Sequence, residues 1–476
     1  MVVGEIAEGV DLLVVGAGPA GYAAALRGAQ LGRDVTLVDR DGEAGVGGVC
    51  LRVGCIPSKA LIEFADVLHR ANALGRGGLA AGGVTADLAG FQRHKAGIVA
   101  GLTGGVRGLL RDAGVPLVGG TLRFTRPDQA VVETTAGQAR FFEFQDVVLA
   151  TGSRPVSLPS LPFDGITVLD STGALALDAL PSSVAVVGAG YIGVELGTAL
   201  AKLGVPVTIV EQAEHLLPGV ERALSRPVSR RLAELGVDLL TAATARAHAD
   251  GVLTVERGGE QVAVKAEKVI VAVGRQPNTD QLGLDRLGVT AGSDGLLPVG
   301  PDRLVRRHVA AIGDITPGPA LAHKGYAEAG VAVENLSGRR AAFQPAAIPA
   351  VVFSDPEIAT VGLTAAEAAE QGIEVAMSSL PMAANGRAMT IGAQHGTVQL
   401  VTDRGSGVVL GVHLVGPHAS ELIAEATLAL EMGATAEDLA ETIHVHPSVS
   451  EHLEEAARAT VGRPINSPSQ RPTAAD

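Results

Sequence analysis

Residues 11–39 read DLLVVGAGPAGYAAALRGAQLGRDVTLVD, and residues 183–211 read SVAVVGAGYIGVELGTALAKLGVPVTIVE. The two stretches align without a gap. Gly16, Gly18 and Gly21 match Gly188, Gly190 and Gly193; Gly32 matches Gly204; Asp39 matches Glu211, each acid 23 residues after its first glycine. Each copy runs from a short apolar strand through a glycine turn and a helix to a second strand. The runs LLVV and VAVV suit parallel strands buried on both faces. The glycines permit a tight turn and let the backbone approach a pyrophosphate. The helix N-terminus adds unpaired N–H groups and a favourable dipole. The acid at the end of the second strand is placed to accept from ribose hydroxyls. A lone glycine turn can serve packing alone. Two complete units, each with its acid in register, predict an α/β chain with two Rossmann-like dinucleotide-binding domains. The pair implies a flavin and a nicotinamide that exchange hydride. Glu211 repels a 2′-phosphate and no arginine follows it until Arg222, so NAD is expected rather than NADP.

Composition narrows the class further. A chain of 476 residues, 47% hydrophobic, can bury several domain cores; with only 3% aromatics and no Trp, those cores must be mostly aliphatic. The 62 glycines follow no G-X-Y period, which excludes collagen. A net charge of −14 argues against a nucleic-acid or anionic-membrane surface. The apolar stretch from Val10 to Leu26 has no basic residue before it and is interrupted by glycines, unlike a signal peptide. No uninterrupted apolar run reaches the roughly 18 residues of a membrane span. A soluble, cytoplasmic protein without metal ligands is expected.

Both cysteines lie in GGVCLRVGCIPSK, residues 47–59. The gap between Cys50 and Cys55 is not that of a zinc ribbon, and no second pair completes a metal site. In a reducing compartment, a disulfide here is expected to be transient and catalytic. Five residues of regular helix rise about 7.5 Å, whereas a disulfide tolerates Cα separations up to about 6.8 Å. A bridged pair therefore requires a helix start or a distortion, which Gly47 and Gly48 would allow.

The pattern CxxxxCIPSK after an N-terminal GxGxxG resembles the class I pyridine nucleotide-disulfide oxidoreductase family, in particular its dihydrolipoamide-oxidising members. The resemblance spans essentially residues 10–462. It includes ATGS (150–153), VAVGRQPN (271–278), AIGDITPGPALAHK (311–324), IPAVVFSDPE (348–357) and HVHPSVSE (444–451). It implies FAD at Gly16, Gly18, Gly21 and Asp39, with Asp314 at its ribityl chain, and NAD at Gly188, Gly190, Gly193 and Glu211. Gly274, in VAVGRQPN, joins the cofactor-binding set. Cys55 would face the flavin as a thiolate, and Cys50 would exchange with the substrate disulfide. Lys59, one helical turn past Cys55, would sit by the flavin ring with Glu195 as its partner. His446 would be the base and Glu451 its orienter, because disulfide exchange needs a thiolate and an ordinary thiol is mostly protonated at neutral pH. His444 is expected to be a bland neighbour. The His446–Pro447 bond is expected to be cis, turning the ring inward. Arg52 is expected to add positive charge beside Cys50, and Tyr191 stands where related reductases gate the nicotinamide site.

The resemblance also implies a homodimer whose base comes from the opposite subunit. Its partner would be a lipoyl-bearing protein of a 2-oxoacid dehydrogenase or glycine-cleavage complex. With no lipoyl-type segment before Val10, the lipoyl group is expected from another chain. The expected organisation is an FAD-binding domain at 1–150 with a long helical stretch over 55–113, an NAD-binding domain at 151–275, a central segment at 276–347 returning to the flavin, a C-terminal α+β dimerisation domain at 348–462, and a disordered tail at 463–476. An NADPH-dependent reductase of a small disulfide is the competing expectation, and Glu211 opposes it. With either nicotinamide at equal concentration, steady-state turnover is expected to favour NAD(H) by at least about tenfold in kcat/KM, the least that a mismatched 2′-phosphate should cost. Equal rates with NADP(H) would contradict the reading of Glu211.

Overall fold

The computed structural model describes residues 7–73 and 83–468. Each glycine unit forms the core of its own sheet. In the first, strand Glu8–Val15 pairs in parallel with Val35–Asp39 and with Ala139–Leu149. Strands Leu117–Arg126 and Gln129–Thr134 complete the connection between those two neighbours. The chain returns to this sheet much later: Val309–Ala311 pairs in parallel with Ala139–Leu149, and Leu304–Arg306 adds an antiparallel edge. The second unit forms a five-stranded parallel sheet in the order Asp238–Leu240, Val207–Val210, Val184–Val187, Lys268–Val271, Val168–Leu169. A three-stranded antiparallel sheet over residues 243–265 sits beside it. The third sheet is antiparallel and five-stranded, built from residues 350–416. Helices Ala419–Met432 and Glu451–Thr460 cover it, and their apolar residues share one buried cluster with the sheet.

The central strands LLVV and VAVV are fully buried, as apolar strands covered on both faces must be. The glycine turns are equally alike. Gly16 and Gly188 adopt φ of +104° and +102°. A Cβ on Gly21 would lie 1.7 Å from the Gly16 carbonyl oxygen, and one on Gly193 would lie 1.9 Å from that of Gly188. The third glycine of each unit is therefore a packing residue that brings helix against turn. The middle glycine differs, since a Cβ on Gly190 would meet nothing within 4 Å.

The long helical stretch expected over 55–113 is not one helix. Helix Cys55–Ala73 and helix Leu88–Asp112 are separate, and residues 83–87 between them are not helical. The second helix has its own start, where the Asp87 side chain accepts from the Gly90 N–H at 2.9 Å. Most of the tail expected to be disordered, residues 469–476, lies outside the described residues. No helix among the described residues is long and apolar enough to cross a membrane.

The contrast between the glycines is testable. Gly193→Ala is expected to destabilise the fold by about 1–3 kcal/mol or more, because backbone must move. Gly190→Ala should melt like the unaltered chain. Thermal unfolding of the two variants checks this, and equal losses in both would refute the packing assignment.

Candidate active site

The segment between the first glycine unit and the rest places the cysteines. Gly47, at φ +89°, starts a short helix, Gly48–Val53, that carries Cys50. Gly54 then breaks it (φ −129°, ψ −109°), and a new helix begins at Cys55. The interruption supplies the distortion that the five-residue spacing demands. The two cysteines are free thiols in hydrogen-bond contact. That contact first, and then the Lys59 charge, together lower the Cys55 pKa to about 7 against burial, which opposes ionisation. The same contact, with burial, pushes Cys50 strongly upward. The asymmetry favours Cys55 over Cys50 as the thiolate of the pair.

Both cysteines line a cavity of about 780 Å³. Gly16, Gly18 and Asp39 of the first turn also line it, as do Lys59, Glu195, Tyr191 and Asp314. The lining thus joins the dinucleotide turn to the dithiol. Asp39 accepts the Ala17 N–H at 2.8 Å and the Asp41 N–H at 3.0 Å. Glu211 repeats this in the second unit, accepting from the N–H groups of Ala189 and Ala213, each at 2.7 Å. Each acid therefore clamps its own glycine turn, a role not contained in the ribose expectation. Lys59 Nζ lies 2.8 Å from Glu195 Oε2 and 4.3 Å from the centre of the Phe353 ring. The other Glu195 oxygen accepts from the Phe353 N–H at 3.0 Å. Glu195 is 4% exposed, so it joins the cysteine helix, the second unit and the third sheet from a buried position.

Asp314 receives the Ser153 hydroxyl at 2.5 Å, and Arg275 Nε donates to that same hydroxyl at 2.8 Å. Ser153 and Arg275 stand inside the ATGS and VAVGRQPN motifs, and their place in the cavity lining, in a chain from Arg275 through Ser153 to Asp314, marks them as site residues. Leu321 and Ala322, at the N-terminus of helix Ala322–Leu336, line the cavity too. The structure does not bring every expected residue to this cavity. Gly188, Gly190, Gly193 and Glu211 lie outside its lining, Gly21 packs behind Gly16, and Gly274 lies one residue before the lining residue Arg275. Cavity, glycine turn, Asp39 and Asp314 together fit an FAD, with the open face of Gly190 left for the second dinucleotide.

His446 and Glu451 also lie outside the cavity. His446 Nδ1 is 2.8 Å from Glu451 Oε2, which leaves Nε2 free. The His446–Pro447 bond is cis. The ring does not turn inward in the single chain, however: its side chain is 81% exposed. His444 is not bland. Its side chain is buried between Glu425 at 2.8 Å and Glu454 at 3.4 Å, and the hydrogen bond to Glu425 raises its pKa. The His444 ring thereby ties helix Ala419–Met432 to helix Glu451–Thr460. Arg52 does not point its charge at Cys50; it pairs with Asp41 at 3.0 Å.

Residues 10–329 match the family model described as pyridine nucleotide-disulphide oxidoreductase, and residues 348–457 match the dimerisation domain of that family. The chain belongs to the pyridine nucleotide-disulphide oxidoreductase family. Members of this family use FAD and NAD. Over 98% of its length the chain is 46% identical to a dihydrolipoyl dehydrogenase of Geobacillus stearothermophilus, covering 99% of that protein. It is 44% identical to the dihydrolipoyl dehydrogenase of Bacillus subtilis, again over 98% of this chain and 99% of the relative. Among solved structures it resembles LpdA from Mycobacterium tuberculosis, with a TM-score of 0.85 and 30% identity over 94% of this chain and 99% of that one. The HOCl-induced flavoprotein disulfide reductase RclA from Escherichia coli superposes with a TM-score of 0.82 at 27% identity, over 94% of this chain and 99% of that one.

The thiol contact can be tested directly. Cys50→Ala removes the donor to Cys55, so the Cys55 pKa should rise from about 7 toward the ordinary thiol value. The pH dependence of the ultraviolet thiolate absorption of the reduced protein reads this. An unchanged titration would mean that Lys59 alone holds the thiolate.

Proposed function

We propose that this chain oxidises the dihydrolipoyl group of a lipoyl-bearing protein and reduces NAD⁺, as the shared dehydrogenase subunit of a 2-oxoacid dehydrogenase or glycine-cleavage complex. One observation carries the proposal: two free cysteines line the same cavity as a dinucleotide turn. One thiolate of the substrate attacks the Cys50 sulfur of the oxidised pair, forming a mixed disulfide and releasing Cys55 as thiolate. The second substrate sulfur then attacks the first, closing the lipoyl disulfide and freeing Cys50. FAD, when bound, supplies the two-electron exchange between the Cys50–Cys55 pair and NAD⁺. Lys59 holds a positive charge beside Cys55, and Glu195 fixes its position. Asp39, Asp314 and the glycines of the first unit hold FAD, while Gly188, Gly190, Gly193, Gly274 and Glu211 serve NAD.

His446 takes the substrate protons at Nε2, with Glu451 stabilising the imidazolium. Within one chain it is exposed and away from the cavity, so we assign it to the site of a second copy. The apolar side chains of Ile443 and Val445, 95% and 76% exposed, flank it and give that copy a surface to cover. A homodimer then completes two sites. The segments 1–150, 151–275, 276–347 and 348–462 are proposed as the FAD, NAD, central and dimerisation units, and the cytoplasm as their compartment. The cations of the two cysteine helices next to the dithiol are already paired, Arg52 with Asp41 and Lys59 with Glu195, which favours a neutral dithiol arm over an anionic small disulfide.

NAD-linked oxidation of dihydrolipoamide, with glutathione disulfide as control, tests the assignment. Cys50→Ser is expected to retain FAD and lose turnover. His446→Gln should lower turnover by about 10²–10⁴. Full dihydrolipoamide turnover in Cys50→Ser would overturn the proposal.

A further inference from the structure

The 3-10 turn Gly313–Ile315, which presents Asp314 to the cavity, rests on a charged cluster that the reaction above does not use. Lys324 and Glu328 lie one turn apart on helix Ala322–Leu336, with side chains 1% and 0% exposed and 3.1 Å between Nζ and Oε1. No other ion pair among the described residues is so completely buried. Lysine is almost never buried unless every donor is met. Here all three are: Lys324 donates to Glu328, to the Gly313 carbonyl at 3.2 Å and to the Thr316 hydroxyl at 2.9 Å. Glu328 accepts the Gly313 N–H at 2.7 Å and Arg303 Nη1 at 3.0 Å. Thr316 donates its own proton to the Gly313 carbonyl at 2.8 Å. Both backbone polar groups of Gly313, the residue before Asp314, are thus held by one lysine–glutamate pair. The same helix offers its first residues, Leu321 and Ala322, to the cavity. Two cations and one carboxylate leave the cluster one positive charge in excess, behind the wall that faces the cavity.

We propose that Lys324, Glu328 and Arg303 form a positioning element of the flavin site: they fix Gly313 so that Asp314 faces the cofactor, and their surplus charge favours the reduced flavin. This rests on the assignment of FAD to the cavity. A purely structural brace would respond to loss of either charge in the same way. A charged positioning element responds with opposite signs. Glu328→Gln keeps an acceptor for the Gly313 N–H and raises the surplus to two; Lys324→Met removes it. Low dielectric around the pair keeps each change unscreened.

The experiment is an anaerobic redox titration of the holoenzyme against a dye of known potential, together with FAD release measured by fluorescence. At a fixed poise, Glu328→Gln is expected to raise the ratio of reduced to oxidised flavin about tenfold, and Lys324→Met to lower it about tenfold, each about 30 mV for a two-electron couple. Both should release FAD faster than the unaltered chain. Thr316→Val removes a bridge without a charge, so it should release FAD several-fold faster at an unchanged poise; it carries the test if a charge variant does not fold. Shifts of the same sign, or no shift, in variants that hold FAD overturn the charge role. Unaltered FAD release in Thr316→Val overturns the positioning role. Failure of the unaltered chain to bind FAD would instead refute the functional assignment beneath it.

Discussion

The account depends on a short interruption of helix at Gly54. A continuous helix would separate Cys50 and Cys55 by more than a disulfide can span. The break separates the short helix that carries Cys50 from the 19-residue helix that begins at Cys55, and it does so on the wall of the cavity that the first glycine turn also lines. Contact between the two sulfurs then divides their chemistry. Cys55 becomes the ionised partner beside Lys59, and Cys50 remains the protonated one. A single local distortion thereby provides both the geometry of a reversible disulfide and the asymmetry that gives its two sulfurs different tasks.

Around that pair the molecule uses buried carboxylates as ties. Asp39 and Glu211 each bind the N–H that follows the first glycine of their unit, so each acid holds its turn, and Asp39 also lines the cavity. Glu195 joins three parts of the chain through Lys59 and Phe353. Glu328 fixes the turn before Asp314. A buried carboxylate left unpaired is costly, and each of these is met by backbone N–H groups or by a cation. The ties make the site rigid where electrons are to pass. The His446 loop, by contrast, is exposed in the single chain, as its proposed place in the site of a second copy requires.

Much of this was legible in the sequence because it depends on short-range chemistry. The two glycine units, their registered acids, the cysteine spacing and the His446–Glu451 pair all lie within stretches of a few to about thirty residues. What escaped depends on how separate elements pack against one another. The partner of Arg52 is Asp41, across a turn. His444 is held by glutamates on two different helices, which no local pattern reveals. The stretch 55–113 reads as a long helical one, yet Asp87 caps a fresh start inside it. Lys324 and Glu328 look like an ordinary exposed i,i+4 pair until the fold closes over them.

The central claim is that a thiolate on Cys55 lies against a flavin. Anaerobic addition of one equivalent of NADH to the holoenzyme tests it most directly. A long-wavelength absorption band, from transfer of charge between the thiolate and oxidised flavin, should appear and then vanish in a Cys55→Ser variant that still binds FAD. Simple bleaching of the flavin without that band in the unaltered protein would contradict the account.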